Sequence, residues 1–470
     1  MTETNSIAAS IEDHALEMVP VSDRQGWLQL SWNTVGIVTT LIQLFIGALT
    51  AFVAGMPIAL LGGFIVMVIG ALLGWGVGHI AYKTGLSSTV MSRIHGFGKN
   101  GSMITAIIFG FMIIGFIALE NVLLYKGLLF YFGVADSLQM QVLIYGLLTL
   151  SWILLTAFGF GLVTKVSSWL VVLFLAVLVY IMWGVVGSSS YSVADVASFT
   201  SQLPIEVLTA MHAATWGDKL AFCVNILIGS AGALALIDGD LGRYARRSKD
   251  VAIAAFLGNA FMDIGMLFIG GAVMYAGMSE LVTYYVSTGM TQEAAQKMAL
   301  ESPDSVAAAF IVFGGVLGAI LMLLAQAKAQ VLNTYSASLS LTNLMDAALN
   351  WRPGRLMFVI LANVIAILML LGSILDWFNS FITILGILTT CISGIIIADY
   401  FIVHPRLNES QLRINKSESF NWSGILVCAA GFILAHYVLN SIVKIEFFSA
   451  LIFSVIAYPP LRLMSLSKYK

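Results

Sequence analysis

Two ionisable side chains stand alone in long apolar stretches. Glu120 lies in FMIIGFIALENVLLYKG and Lys328 in GAILMLLAQAKAQVLNTYSASL. An ionisable group at the centre of a bilayer costs roughly 2.5–3.5 kcal/mol to insert, so each needs a use or a partner. Phe116 precedes Glu120 by one helical turn and shares its face. An aromatic and a carboxylate so placed can grip a planar ring: one stacks on it, the other accepts its N–H groups. Asn121 follows directly. The alternative is a protonated or paired Glu120 that cross-links helices. Lys328 has no acid beside it in sequence. The polar stripe Asn333, Ser336 and Ser340 continues beyond it, which places the ammonium some turns inside a helix bundle. The alternative is a long stem snorkelling to the surface. Gln43 offers an amide that either bonds a ligand or satisfies backbone groups freed by a helix break.

The other polar groups in apolar surroundings suggest less. Asp238, Asp240 and Arg243 close one segment as end charges and a local ion pair. Asp263 and Asp376 are gating or packing groups, and Asp399 is expected at a boundary. The cysteines Cys223, Cys391 and Cys428 are odd in number, without metal-ligand spacing, and suit packing. The six histidines are scattered. There is no HExxH pair, nucleotide-binding loop or GxSxG elbow, so the chain gives an enzyme no seat. Neither a metal nor an organic cofactor is expected.

These side chains need long apolar elements to hold them. The chain has 470 residues, 59% hydrophobic and 10% charged, whereas a soluble domain carries about 25% charged residues. Apolar runs of spanning length recur twelve times: about 30–52, 58–81, 102–132, 140–162, 167–187, 218–238, 251–276, 306–340, 356–374, 378–403, 422–442 and 446–465. The expected class is an all-α membrane protein of twelve transmembrane helices. With the N-terminus inside, seventeen Lys and Arg fall on the inner side and four on the outer, Lys328 apart. That bias predicts both termini in the cytoplasm. The cluster GRYARRSKD directly follows a membrane segment, so it reads as a topology anchor rather than a nucleic-acid site. The expected partners are the lipid bilayer and a small-molecule substrate, with no nucleic acid and no obligatory protein partner. The start MTETNSIAASIEDHALEMVP is polar and reads as a cytoplasmic tail.

Small residues interrupt the first segment (QLFIGALTAFVAG) and the sixth (LIGSAGALALIDGDLG). If segments 1–5 and 6–10 are repeats, the two occupy equivalent places, as broken helices do in inverted-repeat transporters. Ordinary close packing of glycine is the alternative.

Four stretches in order resemble the nucleobase:cation symporter-1 (purine/cytosine permease) family: YKTGLSSTVMSRIHGFGKNGS (82–102), DLGRYARRSKDVAIAAFLGNAFM (240–262), SGIIIADYFIV (393–403) and FNWSGILVCAAGFILAHYV (420–438). Within it the chain is most similar to bacterial cytosine permeases. The resemblance implies a five-plus-five inverted repeat of the LeuT type (APC superfamily) with two further helices. The division would be an N-terminal tail at 1–27, a transporter core at 28–403 (repeats about 28–190 and 215–403) and a C-terminal pair at 404–470.

Family positions carry over residue by residue. The stacking aromatic and the amide one turn later resemble Phe116 and Glu120, so the amide has become a carboxylate. The second aromatic, on helix 6, falls at Ala231 and is missing. Gln43 lies near a substrate contact of helix 1, and Asn333 and Thr334 near a ligand-binding asparagine of helix 8. Sodium-coupled members bind the ion with helix 1 carbonyls and two adjacent hydroxyl residues of helix 8. The matching positions here are Lys328 and Ala329. The resemblance therefore implies a tethered ammonium in the ion's place, held by the backbone about Thr39 to Ile42. A buried lysine can also give up its proton, so a proton is the candidate coupling ion and sodium is not needed. The expected protein is a bacterial cytoplasmic-membrane permease that imports a nucleobase or related nitrogenous heterocycle by alternating access. The alternative is a carrier of a cationic or non-nucleobase substrate recognised by Glu120, such as thiamine, its pyrimidine precursor or an amine. A non-transporting membrane sensor is the remote alternative.

Overall fold

The computed structural model describes residues 14–157, 160–189, 191–301, 304–372 and 374–469. Residues 1–13 of the tail and the side chains of Lys165 and Asp376 lie outside the described residues. The main helices are α1 (Trp27–Val38), α2 (Leu41–Ala54), α3 (Met56–Thr84), α4 (Ser102–Phe132), α5 (Leu138–Ala157), α6 (Phe160–Ser188), α7 (Trp216–Gly242), α8 (Ser248–Ala276), α9 (Val316–Leu349), α10 (Arg355–Leu371), α11 (Phe378–Ala398), α12 (Trp422–Ile433) and α13 (Glu446–Leu466). Among the described residues, nine helices are long and apolar enough to cross a membrane, or eleven with each bent pair taken as one span. The ninth expected segment is α10, an apolar helix of 17 residues.

The first span is two helices meeting at 64°. Two threonines make the break. The Thr39 hydroxyl donates to the Val35 carbonyl at 2.7 Å. Thr40 is extended (φ −127°, ψ 168°), and its side chain caps α2 by accepting from the Gln43 N–H. The Thr39 hydroxyl adds to its own N–H on the Val35 carbonyl, and Thr40 supplies the cap that the first turn of α2 needs.

The sixth segment corrects the expectation of a second break, because α7 runs unbroken from Trp216 to Gly242. Its small residues serve close approach instead. A Cβ on Gly229 would stand 2.2 Å from an Ile382 methyl, one on Gly232 2.8 Å from the Thr389 hydroxyl, and one on Gly242 2.7 Å from the Gly78 carbonyl. The eighth segment differs too. A short helix, Asp304–Gly314, precedes Gly315, whose φ of +50° suits glycine, and α9 then runs 34 residues to Leu349.

In packing, α3 lies along both α7 and α8, α4 lies along α9, and α7 along α11, while α8 also packs on α1 and α2. The glycines of α3 at 70, 74 and 78 repeat every four residues, with Gly62 eight before Gly70, and all face α7 and α8. At the end of the bundle that carries the N-terminal segment, a strap crosses the helix ends. The Val19 N–H donates to the Gly85 carbonyl at 3.1 Å, the Gln25 N–H donates to the Tyr244 carbonyl, and the Arg246 N–H donates to the Gln25 carbonyl. Arg243 donates to the His14 carbonyl at 2.9 Å. At the same end Arg93 pairs with Asp346 at 2.7 Å. Asp399, expected at a boundary, caps the end of α11; it is fully buried, where His95 and Tyr458 reach it at 2.8 and 2.6 Å.

Candidate functional site

The break in the first span frees backbone. The last carbonyls of α1 have no helical N–H to accept, and this end of a helix carries partial negative charge. Lys328 enters that position from α9. Its ammonium donates to the Gly36 carbonyl at 3.1 Å, to the Thr39 carbonyl, and to the Thr39 hydroxyl at 2.7 Å. Three acceptors match the three N–H bonds of an ammonium. The Phe174 ring of α6 closes the fourth side, with its centroid 4.2 Å from Nζ. This is the range of cation–π attraction. Lys328 is 0% exposed, so its side chain does not snorkel.

One helix face away lies a small cavity of about 30 Å³. Phe116 and Glu120 of α4, Thr40, Ile42 and Gln43 at the break, Ser230, Ala233, Leu234 and Ile237 of α7, Met262 of α8 and Asn333 of α9 line it. A space of this size holds about one water, so a ring enters only if the helices part. Glu120 is buried and its Oε2 has no hydrogen-bond partner. Around its carboxyl stand the Thr40 hydroxyl, the Gln326 side chain and the backbone of Ile42. The Lys328 charge is near enough to interact with it. Gln43 donates from its amide to the Ser230 hydroxyl at 3.1 Å, which joins the broken helix to α7 across the cavity wall.

The expected site residues divide into three groups. Phe116, Glu120, Gln43, Ile42 and Asn333 meet in the cavity. Lys328 and Thr39 form the cation position beside it. Asn121, Ala231 and Thr334 lie outside the lining. Asn121 accepts from Trp152 of α5 and Gln330 of α9, each at 3.0 Å. The Thr334 hydroxyl accepts from Asn363 at 3.5 Å. The Ala231 methyl faces Gly70 of α3. Ser230, Ala233, Leu234 and Ile237 are the cavity residues of α7 that sequence reasoning missed. Their spacing of i, i+3, i+4, i+7 is the signal of a single helix face. Thr40 and Met262 carried no such signal.

Residues 26–458 match the family described as permeases for cytosine/purines, uracil, thiamine and allantoin. The chain belongs to this family. This permease is therefore a multi-pass membrane protein and a secondary transporter of the nucleobase-cation symport type, not an enzyme. No curated protein matches the sequence of the permease. Its fold is similar to that of Mhp1, a nucleobase-cation-symport-1 transporter, in a closed conformation with bromovinylhydantoin bound. That match has a TM-score of 0.72 and 17% identity, and it covers 98% of this chain and 96% of the other. Inward-facing Mhp1 matches with a TM-score of 0.69 and 16% identity over 96% and 95%. The outward-open state of a Na+-coupled sialic acid symporter matches with 0.62 and 12% over 94% and 90%. These likenesses establish the LeuT-type fold of the permease.

Proposed function

We propose that the protein imports a nucleobase or related nitrogenous heterocycle across the bacterial cytoplasmic membrane by alternating access, without sodium, using Lys328 as a tethered cation. The observation that carries this reading is the ammonium of Lys328 on the freed carbonyls of α1. An ammonium and a sodium ion are both monovalent cations that convergent carbonyls stabilise. With the charge supplied by the chain, no free ion is required, and a proton gradient is the remaining drive. The strap end of the bundle is then cytoplasmic, as the distribution of Lys and Arg supports. Phe116 supplies a ring face, and Glu120, Gln43, Ser230 and Asn333 supply polar contacts.

The test is uptake of cytosine, uracil, allantoin and thiamine into proteoliposomes, with sodium or with choline outside. Uptake of one of them should be equal in both. A strict sodium requirement would sink the reading. In Lys328→Ser the carbonyls lose their cation, and sodium should then stabilise the protein against heat more than choline does. A cationic substrate is favoured by one observation, the unpartnered Oε2 of Glu120, the acidic residue of the lining. Glu120→Gln separates the two readings. It should abolish binding of thiamine or an amine and only weaken that of a neutral base.

A further inference from the structure

Lys328 is fully provided with acceptors, but a second set of buried polar atoms has none. Asp263 of α8 is 0% exposed, and neither of its carboxyl oxygens has a partner. Asp238 of α7 is buried with Oδ2 unpartnered, and Asn259 of α8 is buried with Oδ1 unpartnered. All three abut the glycine face of α3. A Cβ on Gly70 would stand 2.1 Å from Asn259 Oδ1, one on Gly74 2.2 Å from Asp238 Oδ2, and one on Gly63 2.1 Å from the Asp263 backbone carbonyl. At 1.5 Å rise per residue, the column of three contacts spans about 16 Å along α3, with Asn259 between Asp263 and Asp238. Asp263 also sits in a π-helical turn, Phe261–Met266, an irregularity that often marks functional positions.

The placement relative to the cavity matters most. Met262 and Ile237 line it, so Asp263 and Asp238 each stand one residue behind its wall. Any motion of α7 or α8 that widens the cavity also shifts their seam with α3, where these residues sit. Among the described residues, no charged side chain pairs with them. α1 and α2 carry no titratable residue. His79 of α3 is bonded to Ser248, Asp250 of α8 to Arg247, Asp240 of α7 to Ser88, and Arg243 to Tyr335 and the His14 carbonyl. Glu120 faces the cavity side of α7. A carboxylate in a dry site without a partner is costly, whereas the neutral acid is not.

We propose that Asp263 and Asp238, with the Asn259 acceptor between them, are the proton-binding groups of this transporter, separate from the Lys328 cation. The inference rests on the reading of the protein as a proton-driven importer. Each carboxylate takes a proton when the helices open to water on the uptake side, keeps it while the interface is dry, and releases it when the far side opens. Lys328 keeps its charge throughout.

The full-length protein is tested in two ways. Infrared spectra of the substrate-free protein at neutral pH should contain protonated-carboxyl bands that vanish in D263N and D238N. In proteoliposomes with an internal pH dye, cytosine, uracil, allantoin and thiamine in turn should acidify the lumen of the parent. D263N and D238N should lose that proton flux and flatten the pH profile of uptake, with heat stability and ligand shifts kept. Absence of the bands, or bands with unchanged flux and pH profile in both variants and in the double variant, overturns the proposal. Failure of all four compounds to bind or be taken up counts against the substrate reading instead, and the bands still decide the column.

Discussion

The bent rod α1/α2 and the straight rod α7 both line the cavity, and both are interrupted by small residues. Only the first bends. In α7 each glycine from Gly229 onward is filled by a neighbour: Ile382, Thr389, Ser88 or the backbone of Gly78. In α1/α2 the break is made by hydroxyls. Thr39 turns its side chain on Val35 and Thr40 caps the next helix. Glycine permits an opening, and at the bend Thr40 leaves the helical region and caps the next helix. The freed carbonyls then need a cation, and α9 supplies it.

This contrast can be broken in four ways. The largest effect belongs to Lys328→Met, which leaves the Gly36 and Thr39 carbonyls at the end of α1 without a donor. Removing one member of a buried charged network costs about 3–5 kcal/mol, so uptake should vanish and the thermal midpoint in detergent should fall. Wild-type uptake in this variant would mean the bend does not need its cation. Next comes Gly229→Leu, which forces a side chain into Ile382. Overpacking should destabilise the protein by about 1–3 kcal/mol. Gly217→Ala, with nothing within 4 Å of the added carbon, is the silent control. Equal stability of the two would show that packing does not keep α7 straight.

Thr40→Ala removes the cap of α2 and should cost about 1 kcal/mol, with Thr40→Ser restoring it. A loss that serine does not restore would assign Thr40 to volume rather than capping. The smallest effect lies outside both rods, in the loop after α4. There the Tyr125 hydroxyl bond at 2.6 Å, helped by Gln141 and Lys126, holds the Asp136 carboxyl down to about 2. A folded-state value below the unfolded one gives stability that is present above the ordinary carboxylate range and lost as the pH falls toward about 2. Since Asp136 is partly exposed, Asp136→Asn should cost less than about 1 kcal/mol at neutral pH. Melting curves of the two proteins should converge in acid, and a gap that persists there would contradict the ion-pair account.

Much of this was legible in the residues. The stripe from Asn333 onward placed Lys328 inside the bundle, and Phe116 and Glu120 at helical spacing face one cavity. What failed depended on partners distant in sequence. Nothing near Asn121 announces that Trp152 and Gln330 will take its oxygen, or near Thr334 that Asn363 will bond it. On α7 the error was one residue of rotation: Ser230 faces the cavity and Ala231 faces α3, a difference of about 100° that composition alone does not set. The small residues of α7 looked like a break because their packing partners lie on α3 and α11. The turn at Gly315 was hidden by apolar residues on both sides.

The strap across the helix ends has a mechanical meaning. It is covalently continuous with α1, a rod of twelve residues and about 18 Å. The far end of that rod presents the carbonyls that hold Lys328. A short lever thus joins the surface of the protein to its buried charge. Pulling residues 19–25 away from Gly85 and Tyr244 is expected to tilt the lever and shift the acceptors under the ammonium.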